Sequence, residues 1–242
     1  MERKIFKLQG LNVDSFDFDD AISYANSISG QVVTINPEMI SSAKMNSQLI
    51  EIIQQAELVI PDGIGVEIGL KVLGHRVKRI AGIEFAFSIM REFANRNRTV
   101  ALLGASEDTV SKAVINLKSQ IKDLNLVYVQ NGYFTDEGLV IKDLVEVSPS
   151  LLLVALGSPK QEEIIYKLKK LMPNTLMIGV GGSFDVWAGN VLRAPEIYQK
   201  LGLEWLYRTI MQPSRFKRIF PTLPLFMLNV IKEKMLRKDY AC

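Results

Sequence analysis

The chain has 242 residues, of which 48% are hydrophobic and 23% are charged, a balance typical of a globular protein and not of a disordered one. Its N-terminus lacks the apolar core of a signal peptide, and its single cysteine, Cys242, permits no internal disulfide and favours a reducing compartment. The longest apolar stretch, residues 219–231, contains two prolines. It is shorter than the roughly 20 apolar residues that cross a bilayer, so we expect no membrane-spanning helix.

The formal net charge of +3 is unevenly distributed along the chain. Between Arg208 and Asp239 there are eight Lys and Arg residues against two acidic ones, which leaves 21 basic and 24 acidic residues elsewhere. This asymmetry predicts an anionic partner for the C-terminal segment.

Short apolar runs alternate with helical patterns along most of the chain. Strands are predicted at 32–36, 58–61, 99–104, 126–130, 151–157 and 175–180. Helices are predicted between them at 17–28, 38–55, 63–73, 83–97, 107–120, 136–146 and 160–171. Because the strands have few polar positions on either face, we expect an α/β fold with a Rossmann-like, mostly parallel sheet and helices on both faces. The first 16 residues alternate enough for a small antiparallel addition.

Residues 183–238 have a helical pattern, with predicted breaks at several glycines and prolines, including Pro221 and Pro224. We therefore predict an α/β catalytic domain over 1–201 and a helical, basic C-terminal appendage over 202–242. Apolar residues recur in this appendage at helical spacing beside cations, as in an interfacial membrane helix. They are Phe216, Ile219, Phe220, Leu223, Phe226, Met227 and Val230. The alternative is that this stripe packs on the protein body or across a dimer.

Polar residues and glycines follow each predicted strand. In a parallel α/β sheet, ligands bind outside the carboxyl ends of the strands, and glycines there let backbone amides approach a ligand. One such turn is no more than an ordinary strand-to-helix connection, but six in succession favour a site. The residues concerned are Thr34 and Asn36, Asp62, and the turns 104–106, 131–134, 157–162 and 179–183.

Several kinds of site are not favoured by the sequence. The dinucleotide fingerprint and the P-loop are absent, so neither a dinucleotide cofactor nor a P-loop nucleotide is predicted. With one histidine and one cysteine, we predict no metal site and no cofactor. Asp17 and Asp19 resemble an Asp-x-Asp metal motif but are better explained as helix-capping residues, and His75 as a surface-loop residue.

Asp62 stands directly after a buried strand in the segment PDGIG. A carboxylate at that position can act as a general base. It can equally cap the helix that begins near Gly63. The residues alone leave both interpretations open.

The segments TINPEM, PDGIG, RIAG, NGYF, ALGSPKQE, GVGGSFDVWAGNVLRAP, GLEWLYR and QPSRFKR occur in this order between about residues 32 and 218. Together they resemble the WecG/TagA/CpsF glycosyltransferases, glycosyltransferase family 26, and are closest in type to the TagA-like N-acetylmannosaminyltransferases. The resemblance implies an inverting, metal-independent transfer of a sugar from a UDP-sugar to polyprenyl-diphosphate-linked N-acetylglucosamine. Such enzymes act in bacterial cell-surface polysaccharide or teichoic acid synthesis.

The resemblance also implies roles for individual residues. Asp62 would be the catalytic base. Substrate binding would fall to Thr34, Asn36, Arg79, Tyr133, Gln161, Gly181, Arg208, Arg215 and Arg218. One departure is Gly182, where many members have alanine. The donor therefore stays open among N-acetylmannosamine, N-acetylmannosaminuronic acid and glucose.

The partners that the resemblance implies are a UDP-sugar donor, a polyprenyl-diphosphate-linked acceptor and the cytoplasmic membrane surface. We accordingly expect a cytoplasmic protein, peripheral on the inner face of the cell membrane, with homo-oligomerisation left open. The alternative is a non-catalytic nucleotide-binding module that docks on a membrane. Nucleic-acid binding is not favoured, because the basic runs lack a stacking-aromatic motif and the rest of the chain is net acidic.

Overall fold

The structure is a computed structural model that describes residues 3–200, 202–211 and 216–239. Its centre is a six-stranded parallel sheet with the strand order β4-β3-β8-β7-β5-β6, and a separate antiparallel hairpin joins β1 to β2. The strands are β1 Lys4–Leu8, β2 Leu11–Ser15, β3 Gly30–Ile35, β4 Leu58–Pro61, β5 Val100–Gly104, β6 Leu126–Gln130, β7 Leu151–Ala155 and β8 Leu176–Gly179. The predicted Rossmann-like α/β sheet and its antiparallel addition are confirmed.

Helices connect the strands and continue past the last one. They are α1 Phe18–Ala25, α2 Pro37–Ala43, α3 Ser47–Gln54, α4 Ile64–Val72, α5 Gly82–Asn95, α6 Glu107–Gln120, α7 Glu137–Val147, α8 Lys160–Leu171, α9 Ser183–Trp187, α10 Glu196–Lys200, α11 Glu204–Met211 and α12 Phe216–Asp239. The single helix predicted over 38–55 is wrong, because Asn46 starts a new helix there. Its side chain accepts a hydrogen bond from the Leu49 N–H at 3.1 Å and caps α3.

The helices cover both faces of the sheet. Side chains of α1, α5, α6 and α9 share one hydrophobic cluster with the sheet, and those of α2, α3, α4, α7, α8 and α12 form the two clusters on the other face. Strand β3 is buried along its whole length, with Val32 in the first cluster and Val33 in the second. The neighbouring strands β3 and β8 send the chain to opposite faces, since α2 follows β3 and α9 follows β8. A crevice is expected where neighbouring strands diverge in this way.

Helix α12 runs through both of its prolines, so the predicted break at Pro221 and Pro224 is wrong. A proline inside a helix removes one backbone donor and costs stability. Both prolines lie on the exposed side of α12, so their rings do not enter its packing against the body.

Part of the apolar stripe of α12 faces the protein. Phe226 and Val230 are each 0% exposed and belong to the same cluster as Leu8 and Val66, so their assignment to a membrane-facing stripe is wrong. Phe220 and the neighbouring Leu225 and Leu228 are exposed. The side chains of Phe216 and Ile219 lie outside the described residues. For the inner half of the helix, packing on the body is therefore the correct alternative.

The contact between α12 and the body depends on a glycine. A Cβ atom at Gly69 of α4 would lie 3.1 Å from Phe226 Cζ and 3.3 Å from Leu8 Cδ1, so the absent side chain makes room for the phenyl ring. At the β1–β2 turn, Gln9 donates from its backbone N–H to Glu233 Oε2 at 2.9 Å and from Nε2 to the Phe226 carbonyl at 3.0 Å. The domain boundary at 202 stays a prediction.

Within residues 3–200, 202–211 and 216–239, no helix combines the length and the apolar character needed to cross a membrane.

We expect Phe226→Ala to weaken the docking of α12 by about 3 kcal/mol, because it removes a fully buried aromatic side chain. The measurement is the rate of limited proteolysis within α12, together with the free energy of unfolding. Leu228→Ala is the matched control, since Leu228 is 56% exposed on the same helix and its loss should change stability by no more than about 0.5 kcal/mol. Equal effects of the two variants would contradict the packing described above.

Candidate active site

The candidate site lies at the carboxyl ends of β4, β3 and β8. Thr34, near the end of β3, donates from Oγ1 to the Gly179 carbonyl at the end of β8, at 3.3 Å. This hydrogen bond joins the two strands at the point where the chain leaves them on opposite faces of the sheet. Thr34 is buried, with 9% of its surface exposed.

Asp62 follows β4 at the same edge. Its backbone N–H donates to the Ile35 carbonyl at 2.8 Å, and its Oδ1 accepts from the Gly82 N–H at 3.3 Å. Gly63, and not Asp62, occupies the N-cap position of α4. The Asp62 carboxylate lies against the first residue of the 14-residue helix α5, where the helix dipole favours negative charge.

Gly82 allows Asp62 and Thr34 to lie close together. A Cβ atom at this glycine would be 3.0 Å from Thr34 Cγ2 and 3.3 Å from Asp62 Oδ2. Any other residue would therefore push on both side chains at once. The carboxylate and the hydroxyl border the same small space. Asp62 is half-buried there, and Thr34 is buried.

Asn36 stands beside this pair. Its Oδ1 accepts the Met39 N–H at 2.9 Å and caps α2. The Asp62–Gly63 turn passes close by, since a Cβ atom at Gly63 would lie 4.0 Å from Asn36 Cβ. Gly63 has a φ of +96°, which favours glycine at this turn. The amide of Asn36 is thus fixed in orientation at the edge of the site.

Arg79 connects the site to the segment that follows the sheet. Its backbone N–H donates to Glu67 Oε2 at 2.9 Å, and its Nη2 donates to the Gln199 carbonyl in α10 at 3.3 Å. The next residue, Ile80, donates from its backbone N–H to the Pro61 carbonyl at 2.9 Å. Arg79 is therefore anchored beside the end of β4 and holds α10 there.

Gln161 lies beneath the 179–183 loop and is 3% exposed. Its Oε1 accepts the Gly181 N–H at 3.0 Å, and its Nε2 donates to Glu162 Oε1 at 2.7 Å. A Cβ atom at Gly179 would lie 2.6 Å from Gln161 Nε2, so this amide occupies the space that a side chain at 179 would need. Gly181 has a φ of +48° and open space where its side chain would be.

Tyr133 lies toward the other end of the carboxyl edge and is 81% exposed. Its loop is fixed to the loops after β5, because the Gly132 N–H donates to the Ala105 carbonyl at 2.8 Å and Asn131 Nδ2 donates to Glu107 Oε2 at 2.7 Å. In the strand order, β6 is four positions from β3, roughly 20 Å at about 4.8 Å per strand. The structure thus groups Thr34 and Asp62 with their neighbours and sets Tyr133 apart from them.

For the three predicted arginines of the appendage, the structure gives at most the position of the backbone. Arg208 lies on α11 and Arg218 on α12, with side chains outside the description, and Arg215 lies outside the described residues. The turn before α11 does pack beside the site. A Cβ atom at Gly202 would lie 2.7 Å from Ile64 Cβ, at the start of α4 and two residues after Asp62.

The structure also brings to the site two residues for which the sequence predicted no individual role. Arg193 donates from Nη2 to Glu84 Oε1 at 2.6 Å in the first turn of α5, two residues beyond Gly82. Glu162 is 2% exposed behind Gln161. Arg193 is part of the segment NVLRAP, and Glu162 is part of SPKQE. The burial of Glu162 was not predicted, because an acidic residue in the first turn of a helix is usually exposed.

Across the part of the chain that the structure describes, His, Cys, Asp and Glu side chains form no group of three or more that could hold a metal ion. Asp17 forms an exposed ion pair with Lys78 at 2.7 Å. The His75 ring stacks on Phe6 with centroids 4.3 Å apart.

Residues 6–240 match the family model described as "Glycosyl transferase WecG/TagA/CpsF family". This match covers nearly the whole chain, and the protein is accordingly a glycosyltransferase. The chain belongs to the WecG/TagA/CpsF family, as the sequence motifs predicted.

Two relatives from Bacillus carry the same name, N-acetylglucosaminyldiphosphoundecaprenol N-acetyl-beta-D-mannosaminyltransferase. The protein of Bacillus subtilis (strain 168) is 32% identical over 231 residues, which cover 95% of this chain and 90% of the relative. The protein of Bacillus spizizenii (strain ATCC 23059 / NRRL B-14472 / W23) is 32% identical over 204 residues, covering 84% of this chain and 79% of the relative.

We expect Gly179→Ala to displace the Gln161 amide and to destabilise the protein by about 1–3 kcal/mol, because the added methyl group overpacks a buried polar cluster. The measurement is the free energy of unfolding. Gly138→Ala in the exposed first turn of α7 is the control: its Cβ would lie 3.2 Å from Oδ1 of the exposed Asp136, so stability should change by no more than about 1 kcal/mol in either direction. A Gly179→Ala variant as stable as this control would show that Gln161 is not confined as described.

Proposed function

We propose that this protein transfers N-acetylmannosamine from a UDP-sugar to polyprenyl-diphosphate-linked N-acetylglucosamine, in the synthesis of a bacterial cell-surface polysaccharide or teichoic acid. The observation that carries the proposal is the position of Asp62, a carboxylate at the edge of the crevice between β3 and β8, beside Thr34. The names of the two Bacillus relatives support the transferred sugar and the lipid-diphosphate acceptor.

In the proposed reaction, Asp62 removes the proton from the acceptor hydroxyl. The acceptor oxygen then forms a bond to the anomeric carbon as the bond from that carbon to the UDP oxygen breaks, and the electron pair leaves with UDP. Attack from the face opposite UDP inverts the configuration. The position of Asp62 at the edge of the crevice supports this role, because a general base has to lie within hydrogen-bond reach of the hydroxyl that it deprotonates.

The negative charge that develops on UDP has to be balanced by the protein, since we propose a metal-independent transfer. Guanidinium groups suit this purpose, because they donate two parallel hydrogen bonds to diphosphate oxygens. Arg79 is one candidate, and the others are Arg208, Arg215 and Arg218. Gly181 has a different role in this proposal: its N–H already donates to Gln161, so the residue provides close backbone approach and open space.

The separation of Tyr133 from Asp62 suits a donor that is extended along the carboxyl edge of the sheet. We place the sugar beside Thr34, Asn36 and Gln161, and the nucleotide toward Tyr133. An exposed aromatic ring offers a stacking surface for a nucleobase.

We expect Asp62→Asn to lower kcat by about 10²–10⁴-fold, because the amide cannot accept the proton. Binding of the UDP-sugar should be retained, since the side chain keeps its shape. The measurements are UDP release with a short-chain lipid-diphosphate acceptor and donor binding by calorimetry. Asp17→Asn is the control, an exposed carboxylate of the Asp-x-Asp segment, and it should be fully active. Undiminished turnover by Asp62→Asn would refute the assigned base.

We further propose that the appendage, residues 202–242, holds the protein on the inner face of the cell membrane. Support comes from the outer side of α12, where large apolar side chains are exposed next to cations such as Lys232 and Lys234. These side chains are those of Phe220, Leu225, Leu228, Ile231, Met235 and Leu236. A lipid-linked acceptor would reach the site from that surface.

The pair of substitutions Leu225→Asp and Leu228→Asp should reduce co-sedimentation with anionic liposomes by about tenfold or more, because charge is added to the proposed membrane-facing side. The folded structure should persist, as both residues are exposed. Ile115→Asp on α6, at a side chain that is 67% exposed, is the control and should bind liposomes as the unmodified protein does. If the double variant still co-sediments fully, α12 is not the anchor.

A further inference from the structure

Glu162, in the first turn of α8, has one of the most deeply buried carboxyl groups in the described chain, at 2% exposed. Its Oε1 accepts the hydrogen bond from Gln161 Nε2 at 2.7 Å. Its Oε2 is buried and has no hydrogen-bond partner among the described residues. A buried polar atom without a partner is costly, and a charged one costs more than a neutral one.

A second buried acceptor lies next to it. Gln31 on β3 is 0% exposed, and its Nε2 donates to the Glu162 carbonyl at 3.5 Å. Gln31 Oε1, like Glu162 Oε2, has no partner among the described residues. The cluster therefore contains two unsatisfied acceptors and lacks a donor. A proton on Glu162 removes the buried charge, and a neutral acid costs less than a carboxylate when one of its oxygens has no partner.

We propose that Glu162 is a positioning residue of the glycosyltransferase site: as a neutral carboxylic acid it fixes the orientation of the Gln161 amide, and through it the 179–183 loop. Only the predicted effect on turnover rests on the proposed function. The protonation state and its effect on stability stand independently of the substrate.

The path from Glu162 to the site consists of two hydrogen bonds. Because Glu162 accepts from Nε2, the oxygen of the Gln161 amide is turned toward the Gly181 N–H, which it accepts at 3.0 Å. A rotated amide would bring its NH₂ group against that N–H, two donors facing each other. At the other end of the loop, the Gly179 carbonyl accepts from Thr34. The loop is thus held from behind by Gln161 and Glu162 and from the site by Thr34.

The surroundings of Glu162 agree with a neutral side chain. Burial raises the pKa of Glu162 above its usual value of 4.5, and this effect exceeds the lowering by the Gln161 hydrogen bond and by the weaker, longer contacts with Ser158 and the Glu162 backbone N–H. The charge of Glu163 raises the pKa further. From the strands packed on α8, Gly179 of β8 lies beside Oε1 of the carboxyl group and Gln31 of β3 lies beside the backbone carbonyl of Glu162, and neither residue carries a charge.

Kinetics of three variants test the positioning role. Glu162→Gln should keep kcat within about threefold of the unmodified enzyme, because its amide accepts and donates where the carboxylic acid does. Glu162→Ala should lower kcat by about 10²-fold with a smaller change in KM, since a loop that is misplaced by about 1 Å loses the alignment of the reacting groups. Glu163→Ala, at the adjacent and less buried carboxylate, is the matched control and should be fully active.

Two kinetic results would overturn the proposal. If folded Glu162→Gln is as slow as Glu162→Ala, the charge of Glu162 is required and the neutral form is wrong. If Glu162→Ala is fully active, Glu162 does not position the loop.

Infrared difference spectroscopy tests the protonation state without substrate, and it keeps the proposal falsifiable if Glu162→Ala does not fold. The spectrum of the unmodified protein minus that of Glu162→Gln, just above pH 4.5, should show the carbonyl stretch of a protonated carboxylic acid. A carboxylate band in its place would overturn the proposal.

The pH dependence of stability gives an independent measurement. In the folded protein Glu162 keeps a proton that the unfolded chain releases above about 4.5, so raising the pH favours unfolding of the unmodified protein. Relative to Glu162→Gln, its folding equilibrium constant should fall by up to about tenfold per pH unit between pH 4.5 and the raised folded pKa. A ratio that stays constant from pH 5 to 8 would overturn the proposal.

If the infrared and stability results hold but no UDP-sugar is turned over, the proposed function fails and the neutral acid stands.

Discussion

The parallel pairing of β3 with β8 brings together two parts of the chain that are far apart in sequence, with Gly30 opposite Leu176 and Val32 opposite Ile178. Thr34 extends this pairing by one further hydrogen bond, to the Gly179 carbonyl. Because the side chains of a strand alternate between faces, a shift of one residue in this register would turn Thr34 away from the loop after β8. The crevice, the 179–183 loop and the hydroxyl beside Asp62 all depend on this one register.

Local patterns in the sequence are sufficient for most of the fold. The apolar runs of β4 and β6 predicted the limits of both strands without error. Strand β4 is buried along its length and leaves a continuous apolar signal, whereas β6 lies at the edge of the sheet and is partly exposed. The capping asparagine that separates α2 from α3 and the continuity of α12 through its prolines were missed. Both depend on contacts that a periodic pattern does not contain: a side-chain hydrogen bond in one case, and packing on a distant helix in the other. The strand order is likewise a long-range property.

The candidate site was accessible from the sequence where its residues directly follow strands. Asp62 directly follows β4, Thr34 lies near the end of β3, and the structure places both against Gly82. Glu162 belonged to the candidate turn 157–162, but its burial was not predicted, because a glutamate in the first turn of an amphipathic helix usually faces water and its burial here is caused by β3 and β8. The sequence also did not predict that Phe226 packs on the protein, since helical spacing is the same for a residue that faces lipid and for one that packs against Gly69.

Helix α4 is contacted by two segments of the C-terminal region, the turn before α11 and helix α12. At its start, Ile64 packs against Gly202, and one and a half turns further on, Gly69 carries the ring of Phe226. The helix begins two residues after Asp62. A protein shortened before α12, for easier handling in solution, would expose the apolar surface of Leu8 and Val66 and would lose the support behind the helix that leads from Asp62. The C-terminal helix is in this sense a part of the core, and its removal would alter the enzyme whether or not a membrane is present.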